Sequence, residues 1–304
     1  MKMNRIRNRS EARIGKKVRS EKQLDQIDRT LGRASKLKDR GRLDEALDEL
    51  GRLREKQERT ERELAWFLNL EGQILMEQQR IAKASEAYLK MQDIGFRIED
   101  AQIIGSAHFA LGALEQMRGD TKAARSRYRS ALPLLKESRD FRSISQIILN
   151  WGGLDVEDGD LKGARNSFKT VRELLSLHSD PLLKATFYGL LGRLSLKEGN
   201  SLDAIKEYKR SLFQARIIGS PILALRPIQQ LASLYLGLRK YELALRWYRL
   251  GIRTGERAGL IRQVAEMHRG LAYAEYELGN AAGAIEHLSK SAQGSRGGGG
   301  FDIL

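Results

Sequence analysis

The chain has 304 residues, 41% of them hydrophobic and 31% charged, with a formal net charge of +15; that is enough apolar material for one large folded body and too much for a disordered chain. It contains no cysteine, which excludes disulfides, thiolate zinc sites and cysteine nucleophiles. Four prolines and 7% aromatics over this length favour long unbroken helices over an all-β fold, because proline breaks a helix interior.

The chain opens on a basic arm, residues 1–22, with nine Lys or Arg against two Glu; it supplies +7 of the charge and leaves +8 for everything that follows. No aromatic residue interrupts the arm, so stacking on single-stranded bases has no support. It reads as a solvated tail, with contact to nucleic acid, an anionic membrane or an acidic partner as the alternative. Ser20 and Gln23 are spaced for a capping box that opens the first helix. No apolar run is long enough for a signal sequence core or a membrane span, and a cytoplasmic location is the expectation.

From residue 23 to residue 292 the sequence repeats itself. Alanine recurs at Ala84, Ala124, Ala164, Ala204, Ala244 and Ala284, each forty residues from the last, with Ala46 one shorter step ahead. Four residues later stand Tyr88, Tyr128, Phe168, Tyr208 and Tyr248, then Leu288, with Leu50 in the first copy. Five residues before the alanine come Gly41, Gly119, Gly159, Gly199 and Gly279, replaced in two copies by Gln79 and Arg239. Twelve residues before it come Gly72, Gly112, Gly152 and Gly192, or alanine at Ala34, Ala232 and Ala272. Small residues at two fixed places mark where two helices A and B cross closely. The aromatic is expected to fill the gap between neighbouring hairpins, worth on the order of 4 to 6 kcal/mol each as an upper bound from its buried area.

The turns agree. Gly119-Asp120, Gly159-Asp160, Gly199-Asn200 and Gly279-Asn280 put a residue tolerant of left-handed backbone at the end of helix A and a capping oxygen at the start of helix B. Asp180-Pro181 and Ser220-Pro221 read as an N-cap followed by proline at the first helical position. Pro133 and Pro227 fall inside helical stretches, where each removes one backbone hydrogen bond and is expected to bend its helix.

The pattern, as in Leu111-Gly112, Gly119, Ala124 and Tyr128, closely resembles the tetratricopeptide (TPR) motif over seven copies. The resemblance implies an all-α, right-handed superhelical solenoid that binds other proteins. The family's usual unit has 34 residues, so six more must lengthen the helices or the links here, as in the longer variants of bacterial regulators and of motor or polarity adaptors. By the same resemblance helix A lines a concave groove. The matching positions are Trp66, Asn69, Gln73 and Met76 in the second copy; Phe109, Gln116 and Met117 in the third; Gln146 and Leu149 in the fourth; then Arg193 and Lys197, Arg226 and Gln229, and Arg269, Tyr273 and Tyr276. This gives amide, methionine and aromatic character early and positive charge late, suited to a protein segment with apolar and acidic residues. Trp66 and Phe109 read equally well as packing. The family's clamp for chaperone carboxylates is broken, since Asn150 stands at its middle position but Phe109, Ala113, Thr186 and Leu190 occupy the others.

The chain ends, from residue 293 to 304, in a glycine-rich tail carrying Phe301, Asp302, Ile303 and Leu304, an apolar tetrapeptide that gains nothing unless something buries it. It reads as a docking motif, a flap over the last repeat, or a loose end. His108, His178, His268 and His287 do not share metal-ligand spacing, and no HExxH, Walker A, nucleophile elbow or dinucleotide motif occurs. The sequence therefore offers no catalytic residue, metal or cofactor, and the expected function is a scaffold or adaptor. A peptide- or ligand-responsive regulator is the first alternative, and a basic nucleic-acid-associated protein the second.

Overall fold

A computed structural model describes residues 21–55, 60–177 and 179–297. The basic arm through Ser20, His178 and the terminal tetrapeptide lie outside the described residues. Among the described residues there are fourteen helices and no strand: α1 (Glu21–Asp39), α2 (Leu43–Glu55), α3 (Glu61–Glu77), α4 (Ile81–Arg97), α5 (Ala101–Met117), α6 (Thr121–Glu137), α7 (Phe141–Asp158), α8 (Leu161–Leu177), α9 (Pro181–Lys197), α10 (Ser201–Ile218), α11 (Pro221–Gly237), α12 (Tyr241–Arg257), α13 (Ile261–Glu277) and α14 (Ala281–Gly297). They pair into seven hairpins, odd-numbered helices being A and even-numbered ones B. The last helix runs to Gly297, into the stretch expected as tail.

From α3 onward one helix begins every twenty residues, at 61, 81, 101 and so on to 281. The extra residues of the long repeat are thus shared evenly between A and B, with equally short turns at both connections. The turn chemistry explains the regularity. Its middle residue has positive φ, at Gly119, Gly159, Gly199, Gly219, Gly259 and Gly279, but also at Gln79, Glu99, Arg139 and Arg239. The residue after it serves two helices at once: the Asp120 N–H donates back to the Glu115 carbonyl (3.0 Å), while Asp120 Oδ1 accepts from the Ala123 N–H (2.9 Å). Asp100, Asp140, Asn200 and Ser220 do the same. One residue closes one helix and opens the next, leaving no slack in the connection. Pro181 and Pro221 take the first helical positions behind Asp180 and Ser220 as expected, and α6 and α11 run on through Pro133 and Pro227.

The recurring alanines from Ala84 to Ala244 are fully buried. The aromatics sit differently from the expectation. A Cβ added to Gly112 would lie 2.7 Å from the Tyr128 ring, one on Gly152 2.7 Å from Phe168, and one on Gly192 2.6 Å from Tyr208. Each ring is therefore seated first inside its own hairpin, on a glycine of helix A that no other residue can replace without displacement. Hydroxyls then reach the next repeat: Asn150 Nδ2 donates to Tyr128 Oη (3.1 Å), and Tyr208 Oη donates to Gln230 Oε1 (3.4 Å). In the sixth repeat Ala232 occupies the glycine position, and Tyr248 packs instead against Gly270 of α13.

Each helix A touches helix A of the next repeat, whereas successive helices B make no comparable contact. Helices A therefore form the inner wall of a curved stack and helices B the outer one. The curvature brings distant repeats together. Gly41, in the first turn, lies against α11, where a Cβ at Gly41 would stand 3.7 Å from Ile222 and 3.8 Å from Pro221. In the second repeat's turn the Gln79 side chain accepts a hydrogen bond from Arg262 of α13. Both contacts join a repeat to the one five places along.

Candidate partner-binding groove

The inner wall is built from one stripe of each helix A, and its early half is largely committed to packing. Trp66 packs against the core of the first hairpins. The Phe109 ring lies 6.0 Å from that of Tyr128. Met76 Sδ accepts from Tyr88 Oη at 3.5 Å, and Gln116 Oε1 accepts from Tyr128 Oη at 2.8 Å. Asn69, Gln73 and Gln146 are half-buried, whereas Met117 is exposed. Leu149, expected in the groove, is fully buried in the core of the fourth and fifth repeats. It faces inward because it lies on the stripe of α7 that meets α9 rather than on the open one. Burial pushes the Tyr128 hydroxyl up to about 12, despite the Asn150 hydrogen bond that lowers it, so it stays protonated and able to donate.

The late half is open. Arg226, Arg269, Tyr273, Tyr276 and Lys197 are exposed, Tyr273 by 54% and Tyr276 by 66%. Arg193 is tied to Glu157 of the preceding repeat at 2.8 Å, so part of the expected positive charge is already neutralised. Gln229, Arg269 and Tyr273 converge on one concavity of about 440 Å³ between the sixth and seventh repeats, completed by Ser233, Tyr248, Glu266 and Gly270. Its existence follows from the exchange of small residues described above. With Gly270 under the Tyr248 ring, the hydroxyl turns toward Ser233 (3.2 Å), and the surface above is left hollow. Glu266 accepts from Gln229 Nε2 at 3.5 Å, so the hollow carries both signs of charge beside an aromatic wall. Glu266 was not among the expected groove residues; it sits three positions before Arg269 on the same face of α13, a spacing visible in the sequence.

The histidines divide as follows. His108 is half-buried, 3.2 Å from Gln92 Nε2 and 3.4 Å from Arg127. His268 is buried and stacked on His287 of α14, with ring centroids 5.1 Å and Nδ1 atoms 3.1 Å apart. Among the described residues no group of three or more His, Cys, Asp or Glu is arranged to hold a metal ion. No described helix is long and apolar enough to cross a membrane.

No protein-family profile and no curated protein matches the chain. Solved structures do match. NprR in complex with its cognate peptide NprX superimposes with a TM-score of 0.65 at 18% identity, over 96% of this chain and 84% of that one. A Rap protein complexed with Competence and Sporulation Factor gives 0.65 at 11% identity, over 90% and 78%. A STAND-class signal-transduction ATPase with a tetratricopeptide repeat sensor, from Pyrococcus horikoshii, gives 0.62 at 18% identity, over 83% of this chain and 40% of that one. The fold is a TPR-type helical solenoid. This chain spans well under half of that ATPase, so its likeness there is to the solenoid alone.

Proposed function

We propose that this TPR solenoid is a cytoplasmic scaffold or adaptor whose concave wall holds a segment of a partner protein. The observation that carries the reading is the hollow between the sixth and seventh repeats, where Gln229, Arg269 and Tyr273 converge while the early half of the wall is largely committed to packing. An aromatic wall with arginines beside it is the kind of surface that dominates interface energies. Arg226 and Arg269 suit carboxylates and Tyr273 an apolar side chain, so the fitting partner carries both. Two structures of the same fold hold a peptide or factor, namely NprR and the Rap protein, which supports a segment as guest.

Affinity capture with the intact chain and with the pair Arg226→Glu, Arg269→Glu tests this. The expected result is loss of the captured partner with the double variant, and retention with Lys122→Glu on the outer wall. Capture that ignores both groove substitutions sinks the reading.

A second reading, a regulator whose shape responds to a ligand, is favoured by the contacts of Gly41 with α11 and of Gln79 with Arg262. They bear on the spacing of the coil, and Arg262 also lies 3.9 Å from Glu266 of the hollow, so occupancy and pitch can be coupled. A ligand-dependent change in solution scattering is its expected signature.

A further inference from the structure

The charge of the folded part is not spread evenly. In the third to sixth repeats the outer helices α6, α8, α10 and α12 carry seventeen Lys or Arg and six Asp or Glu, against five and four on the inner helices α5, α7, α9 and α11. Part of the excess forms one exposed row: Arg129, Lys169, Lys209 and Arg249 recur at forty-residue steps along successive helices B. Arg249 is held by Glu275 and Arg129 lies over the Trp151 ring, whereas Lys169, Lys206, Lys209 and Arg216 have no ion-pair partner among the described residues.

The same surface of α8 and α10 also bears large apolar side chains. Leu202 is 80% exposed, Leu177 74%, Phe213 61% and Ile217 57%. Lys206, Lys209, Phe213 and Ile217 follow one another at steps of three or four residues, so cations and apolar groups share one face of α10. A nucleic acid backbone would satisfy the lysines but leave Leu202 and Ile217 in water. The interface of a bilayer accepts both, with headgroup charge for the lysines and the acyl boundary for the apolar groups. We propose that the outer face of α8 and α10 docks on an anionic lipid bilayer, with Lys169 and Lys209 at headgroup level and Phe213 and Ile217 inserted beside them.

The test uses the full chain and vesicles of phosphatidylcholine alone or mixed with phosphatidylserine, with helicity checked for every variant. Binding is expected only with phosphatidylserine and is expected to weaken as salt rises. Lys169→Glu with Lys209→Glu should weaken it roughly twenty-fold or more, since each basic side chain near such a surface contributes about five-fold. Phe213→Ser with Ile217→Ser should weaken it by roughly thirty-fold or more and abolish the part that survives high salt. The basic arm is present throughout, so binding that ignores both pairs of substitutions belongs to the arm and overturns the proposal. So does equal binding to both vesicle types. A DNA duplex bound tightly while phosphatidylserine vesicles are not would overturn it in favour of a nucleic-acid surface.

Discussion

At the scale of single residues the glycines inside the helices divide into two kinds that composition alone does not distinguish. Gly112 lies under the Tyr128 ring, and a methyl group there has no room; Gly51, inside α2, has nothing within 4 Å of where a Cβ would stand. Gly112→Ala should therefore cost about 1–3 kcal/mol through forced displacement of the ring. Gly51→Ala should gain about 0.5–1 kcal/mol through lower chain entropy when unfolded. Urea titration of the two variants reads the opposite signs directly, and equal signs would remove the ring-on-glycine account. Arg239 holds a positive φ of 55° in a turn where the other copies mostly have glycine, so Arg239→Gly should stabilise the chain by about 0.5–1 kcal/mol. The glycine and aromatic columns were legible in the sequence because each is a steric necessity repeated at one interval. That Tyr248 changes its glycine from α11 to α13 was not, since Ala232 fits the pattern and Gly270 stands thirty-eight residues further on, outside it.

At the scale of helices, α13 and α14 are joined through the stacked pair His268 and His287. Burial, then the charge of the neighbouring ring, holds His268 below the ordinary imidazole range; burial likewise lowers His287. Facing them are Glu256 and Arg249 from α12, Glu275 from α13, and Glu286 and Lys290 from α14. Unfolded, both rings take protons near about pH 6.5; folded, they resist until the pH is lower, so unfolding takes up protons. Stability of the last hairpin is then full above about pH 6.5 and falls as the pH drops below it. Hydrogen exchange of α14 amides should quicken on going from about pH 7.5 to about pH 5.5 beyond the intrinsic change, and His287→Phe should flatten that dependence. The two histidines were visible as residues, but their meeting depends on the register between helices, which the forty-residue interval does not state. The boundaries of the helices were more legible, because Asp-Pro, Ser-Pro and Gly-Asp pairs carry their own backbone chemistry.

At the scale of the whole molecule, helical hairpins in a solenoid were readable from the repeat, and the inner wall from resemblance. Which half of that wall is open was not, because it depends on Trp66 and Phe109 packing against the core and on Leu149 being buried within it. The return of the coil on itself was also hidden, since Gln79 and Arg262 stand 183 residues apart. Ile222→Asp combined with Arg262→Ala should open the coil, seen as a larger radius of gyration in solution scattering with unchanged helical circular dichroism. An unchanged radius would mean that neighbour packing alone sets the curve.

That long-range seam alters how the array comes apart. A stack whose units touch only adjacent units frays from either end, one hairpin at a time, and its stability is a running sum of neighbour terms. Here the first hairpin is pinned to the sixth and the second to the seventh, so neither end peels without disturbing the other, and melting should be sharper than the sum of neighbours predicts.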